Sequence, residues 1–144
     1  MSERWTPELA FELVDRVGHA YALLHARTRT LIADLDVSVS ELVALFVLLA
    51  TPEGLSQTDW GRLQGVSRQR AHTVTKQLLA RGLVHREIQG RSSTITLTRE
   101  GRELAGVQGD RLARVAFDEL SELSESEALA LHAGLGKIIE VFGP

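Results

Sequence analysis

The segment from Ser56 to Thr98 constrains this chain more than any other stretch. Ser56-Gln57-Thr58-Asp59 opens a short helix, with a serine suited to accept a hydrogen bond from a free first-turn amide. Gly65-Val66-Ser67 interrupts that helix, and Ser67 caps a second one reaching about Arg81. Gly82 follows as a left-handed cap. Two short helices that meet at a sharp angle need a small residue where their backbones approach. Gly61 supplies it, four positions before the turn glycine Gly65. Val66, Ala71, Val74 and Leu78 are expected to lock the second helix in place, with Trp60 and Leu63 as the opposing side. Val84 to Ile88 and Thr94 to Thr98 then read as two strands, joined by the turn Gln89-Gly90-Arg91-Ser92-Ser93. The second alternates Ile95 and Leu97 with threonines.

The flanks read as helices. Thr6 caps a long helix expected from Pro7 to about Asp34, with Leu9, Leu13, Val17, Ala20, Leu24, Leu31 and Leu35 recurring at helical steps around a gap at Arg27. Ser38-Val39-Ser40-Glu41 is a capping box, with Ser38 as cap and Glu41 reaching back. The helix it opens runs to about Ala50 and is apolar on nearly every side, so burial all round is expected. Thr98 caps a further helix to roughly Leu120. Ser124-Glu125-Ser126-Glu127 is a second capping box opening the last helix, whose Leu129, Leu131, Leu135, Ile138, Ile139 and Phe142 exceed what a peripheral helix needs. The expected class is mainly α with a small β-hairpin wing, a winged helix-turn-helix within one compact domain.

Charge points to the same segment. Taken alone, the net charge of -3 disfavours nucleic acid, yet residues 61–99 hold eight Lys or Arg and one acid, Glu87. That stretch is +7; the remaining eight basic and eighteen acidic residues make the rest -10. Salt screens charges beyond roughly 10 Å, so the local balance governs phosphate attraction. The absence of cysteine excludes disulfides, thiolate zinc sites and cysteine redox sensing. No apolar run reaches membrane-spanning length, and Met1 to Pro7 lacks the layout of a secretory signal. No membrane association and a cytoplasmic location are expected.

Helical periodicity divides the second helix of the motif. Ala71, Val74, Leu78 and Leu79 face inward, leaving Arg68, Gln69, Arg70, His72, Thr73 and Lys76 outward. Arginine can grip guanine O6 and N7 with two hydrogen bonds, and glutamine can grip adenine. Arg68, Gln69, Arg70 and His72 are therefore candidate base readers of double-stranded DNA. Ser67 lies at the entering end of this helix, and Thr73 and Lys76 are candidate phosphate contacts. Gly90, Arg91 and Ser92 form the candidate wing tip, where an arginine suits a narrow minor groove.

Gly65-Val-Ser-Arg-Gln-Arg-Ala-His-Thr-Val-Thr-Lys-Gln-Leu-Leu-Ala-Arg-Gly-Leu-Val84, followed by Leu97-Thr98-Arg99-Glu100-Gly101, resembles the MarR family of bacterial transcription regulators. The order of elements from residue 7 to 142 is similar as well. Where that family often carries Asp-x-Arg in the wing, this chain has Gln89-Gly90-Arg91, so the acidic partner of the arginine is missing and the wing is shorter. The resemblance implies a homodimer built from dimerisation helices in residues 1–36 and 99–144, around a DNA-binding region in 37–98 with its helix-turn-helix in 56–81 and wing in 84–98. It further implies a repressor of a pseudo-palindromic operator, released by a small, often aromatic and anionic effector such as a phenolic compound; Tyr21, His25 and Arg27 are the candidate effector contacts. No cofactor is implied.

Three rival readings stand beside this one. Catalysis is not expected, since no nucleophile elbow, metal-protease motif or glycine-rich phosphate loop is present. A zinc-responsive regulator would draw on His19, His25 and His132, but His19 and His25 are six apart, not the three or four that one helix face requires. An effector-independent DNA-binding protein is the third.

Overall fold

The computed structural model describes residues 4–144; Met1–Glu3, part of the polar start discussed above, lie outside the described residues. The chain forms two compact units, one ending at Val39 and one running from Ser40 to Pro144. The first holds α1 (Pro7–Leu31), with Thr6 Oγ1 accepting from the Leu9 amide and proline in the first turn. α1 stops three residues short of Asp34. Thr28 and Thr30 donate their hydroxyls to the carbonyls of Leu24 and Ala26, and Ile32 leaves helical geometry as the C-cap. Such side-chain bonds loosen a helix end by competing with its ladder.

The second unit contains all but the first residue of α2 (Val39–Leu49), then α3 (Gln57–Leu63), α4 (Arg68–Ala80), β1 (Val84–Gln89), β2 (Ser92–Leu97), α5 (Arg99–Glu119) and α6 (Glu125–Phe142). Its core joins Leu42, Ala44, Leu45 and Leu48 of α2 to Trp60, Ala71, Val74, Leu78, Val84, Ile95, Leu97 and Ala105. α2 is not buried on all sides: Val43, Phe46 and Val47 are half-buried and Leu49 is exposed. Leu63 is also a correction. It is 53% exposed and contributes no lock, which falls to Trp60 alone on that side. A helix of seven residues is under two turns, too short for periodicity to fix its inward face.

The glycines carry the sharp geometry. α3 and α4 cross where a Cβ on Gly61 would stand 3.2 Å from that of Ala71. Gly65 has φ +62°, and the amides of Gly65 and Val66 reach back to Arg62 and Gly61. Gly82, at φ +68°, ends α4 the same way, through Gly82 to Leu79 and Leu83 to Leu78. Both are Schellman closures, which need a residue free of the left-handed penalty.

One junction binds three elements. Thr98 caps α5 by accepting from the Gly101 amide, donates its hydroxyl to the Gly82 carbonyl, and gives its own amide to Leu83. Gly101 lies so close to the Leu83 carbonyl that a Cβ would overlap it. At the far end Ser124 and Glu127 form the expected capping box, and hydrogen bonds from Ser124 hold the Glu127 carboxyl below its ordinary pKa. No residue of α6 or of α1 is buried.

Gly101→Ala is expected to destabilise the protein by about 1–3 kcal/mol or more, since the clash is with backbone that cannot swing aside. Gly106→Ala, within α5 where a Cβ meets nothing within 4 Å, should instead gain roughly 0.5–1 kcal/mol. Urea unfolding of both variants checks the opposite signs.

Candidate nucleic-acid interface

The sequence-predicted readers all lie on one exposed surface of α4. Ser67 is its N-cap, its Oγ accepting from the Arg70 amide at 3.1 Å. Arg68, Gln69, Arg70, His72, Thr73 and Lys76 are exposed, while Ala71, Val74, Thr75 and Leu78 are buried. Two of the outward residues are engaged. Arg70 Nη2 donates to Ser40 Oγ at 2.8 Å, and the Thr73 hydroxyl donates to the Gln69 carbonyl at 3.0 Å. The Thr73 hydroxyl is thus satisfied within the helix, whereas that of Ser67 donates to no group among the described residues.

The wing is tighter than the sequence suggests. β1 and β2 pair antiparallel from Val84↔Leu97 to Gln89↔Ser92, which leaves a two-residue loop, Gly90-Arg91. Ser92 and Ser93 belong to β2, not to the turn. Gly90 has φ +61°, and no other wing residue has positive φ. Glycine first in a two-residue loop is the type II′ arrangement, whose twist matches that of the strands. Arg91 stands exposed at the tip, and Ser92 Oγ ties back to the Gln89 carbonyl at 2.9 Å.

Two supports of the wing were not visible in the sequence. Leu55 and Ile95 exchange backbone hydrogen bonds of 3.0 and 2.8 Å, adding an isolated bridge beside β2. Gly54, at φ +84°, makes room for it, since a Cβ there would come within 2.6 Å of the Ile95 carbonyl. Arg86 of β1 donates to Gln57 of α3 at 3.2 Å, so an arginine of the basic block braces the wing against the helix-turn-helix.

The basic block is accordingly smaller than its sequence count. Arg81 is paired with buried Glu41, Arg99 with Glu103 at 3.0 Å, and Arg62 with Asp59 at 3.9 Å. Arg68, Lys76 and Arg91 are exposed and have no ion-pair partner among the described residues. Together with Arg70 they form the positive surface. A cleft of about 120 Å³ beside it is lined by Gln57, Gly61, Arg62, Val66 and Arg68.

Of the candidate effector contacts, Tyr21 and His25 stack in a tilted pair on α1, centroids 5.9 Å apart at 44°, and Arg27 is exposed on the same helix. The described residues contain no group of three or more His, Asp or Glu able to hold a metal ion. No helix is long and apolar enough to cross a membrane.

Residues 35–92 match the model of the MarR family. Among solved structures, a MarR protein from Peptoclostridium difficile superposes with a TM-score of 0.80 at 14% identity, covering 97% of this chain and 93% of that one. The PcaV transcriptional regulator from Streptomyces coelicolor, in complex with its natural ligand, is 26% identical with a TM-score of 0.71, over 85% and 91% of the two chains. A DNA complex of MepR from S. aureus gives 0.72 at 19% identity, over 96% and 98%. No curated protein sequence matches.

Gly54→Ala is expected to break the Leu55–Ile95 bridge and loosen the wing base without touching α4. Hydrogen exchange should then quicken at the Leu55 and Ile95 amides while the amides of α4 keep their protection.

Proposed function

We propose, from the match of residues 35–92 to the MarR-family model, that this chain is a transcriptional regulator, a cytoplasmic homodimeric repressor that binds a pseudo-palindromic operator in double-stranded DNA. The observation that carries the reading is the outward face of α4, where Arg68, Gln69, Arg70 and His72 are exposed on the N-terminal half of a helix whose opposite face buries Ala71, Val74, Thr75 and Leu78. That end of a recognition helix enters the major groove, and its arginines and glutamine have the donors and acceptors that distinguish base pairs there. Lys76 and Ser67 contact phosphate, and Arg91 at the wing tip reaches the neighbouring minor groove.

A second copy supplies what the isolated chain lacks. α6 exposes Leu129, Leu131, Leu135, Ile139 and Phe142, and α1 exposes Phe11, Leu13 and Leu24. Apolar surface of that extent on two long helices is an association surface. A two-fold dimer presents two copies of α4 about one DNA turn apart, the spacing of a palindrome.

The PcaV neighbour, bound to its natural ligand, supports a small-molecule effector; the family resemblance points to a small aromatic anion, with Tyr21, His25 and Arg27 supplying ring and charge. The effector acts by favouring a dimer whose readers are wrongly spaced, at a coupling of about 1–3 kcal/mol.

Fluorescence anisotropy on an operator selected from random duplexes tests this reading. Arg70→Ala should cost roughly 1–3 kcal/mol per contact and relax one base position in each half-site. Lys76→Ala should weaken all sequences alike and reduce the salt slope by about two, one phosphate per protomer. Salt-independent binding, or an Arg70→Ala variant with the parent's base preferences, would count against the assignment.

A further inference from the structure

We propose that Ser40 and Glu41, consecutive residues in the first turn of α2, are positioning residues for the recognition helix α4: Ser40 sets the guanidinium of Arg70 near its N-terminus, and Glu41 holds Arg81 at its C-cap. The inference rests on α4 being the reader.

The two contacts are independent. Ser40 Oγ accepts from Arg70 Nη2 at 2.8 Å across thirty residues of sequence. Glu41 Oε1 lies 3.5 Å from Arg81 Nε, with the Glu41 side chain 2% exposed and that of Arg81 31% exposed. Arg70 belongs to the first turn of α4 and Arg81 is its C-cap. One turn of α2 thus holds both ends of the helix that carries Arg68, Gln69 and His72.

The chemistry of Arg70 makes the first contact compatible with reading a base. A guanidinium has two edges that can form a paired hydrogen-bond fork, and each uses a different hydrogen of Nη2. Donating one of them to Ser40 leaves one complete fork for the O6 and N7 of guanine. The hydroxyl also removes rotamer freedom from a long side chain before DNA arrives. That freedom would otherwise be lost on binding, at a penalty equivalent to roughly three- to tenfold in affinity.

Glu41 needs a different argument. A buried carboxylate paired with arginine adds little net stability compared with apolar residues of the same volume. The ion pair, in contrast, ties Arg81, and with it the end of α4, to the first turn of α2. The apolar packing of Leu42 and Leu45, buried in the same helix, would accept small shifts that a charge pair resists.

The experiment measures binding to the selected operator and to a non-operator duplex of equal length, with Tm recorded for every variant. Ser40→Ala is expected to lower operator affinity roughly three- to tenfold while leaving non-operator binding unchanged. It should flatten the same base position as Arg70→Ala, and the double variant should bind no worse than Arg70→Ala alone. Ser40→Thr, which keeps the hydroxyl, should restore discrimination. Glu41→Gln should lower the operator to non-operator ratio at temperatures where it is folded; if it does not fold, Arg81→Lys, which keeps the charge and loses Nε, takes its place. A Ser40→Ala variant with the parent's ratio, or losses that simply add with those of Arg70→Ala, overturns the role of Ser40. An unchanged ratio in the Glu41 or Arg81 variant overturns that of Glu41. An Arg70→Ala variant with parental discrimination would instead bring down the assignment of α4 as reader, a distinct failure.

Discussion

The reader depends on the knot of hydrogen bonds around Thr98. Its hydroxyl joins the Gly82 carbonyl to the Gly101 amide, and its backbone amide holds Leu83. α4 leaves through Gly82, the wing starts at Val84 and returns at Leu97, and α5 begins at Arg99. Three elements therefore share one point of attachment, and the angle of the wing to the recognition helix is set there. Gly101 belongs to the same point, because only a residue without Cβ lets α5 approach the Leu83 carbonyl.

Charge acts differently from how a count suggests. Much of the basic block serves the fold itself. Arg81 pairs with the buried carboxylate of Glu41, and Arg86 braces the hairpin against α3. What remains for a polyanion is a short row of side chains, Arg68, Arg70 and Lys76 on α4 and Arg91 at the tip. An acidic remainder does not cancel a row of this kind, since only charges within about a Debye length matter to a phosphate.

The helix-turn-helix was legible because its demands are steric and local. Gly61, Gly65, Gly82 and Gly101 occupy positions where backbone approach or left-handed geometry admits little else, and Ser67, Thr98 and Ser124 cap the helices they precede. The outward face of α4 followed from a helix of thirteen residues, long enough for its period to be read. What was not legible is non-local. Glu41 reads as the last member of a capping box, and nothing in its neighbourhood points to Arg81 forty residues on. The partnerships of Ser40 with Arg70 and of Leu55 with Ile95 are hidden for the same reason. The wing loop was overestimated because Ser92 and Ser93 have the composition of a turn, and only their pairing with Gln89 and Ile88 makes them strand.

The register of the hairpin also governs how its length can vary. Val84, Ile95 and Leu97 turn one face of the ribbon into the core, and successive residues alternate faces out to Gln89↔Ser92. Lengthening the ribbon by one pair at the tip would carry Arg91 outward by about 3.3 Å and turn it to the opposite face. Two pairs would restore its direction and move it by about 7 Å, close to two base-pair steps. The reach of this wing is thus quantised: among related ribbons on the same core, those that keep the arginine pointing the same way differ by even numbers of pairs.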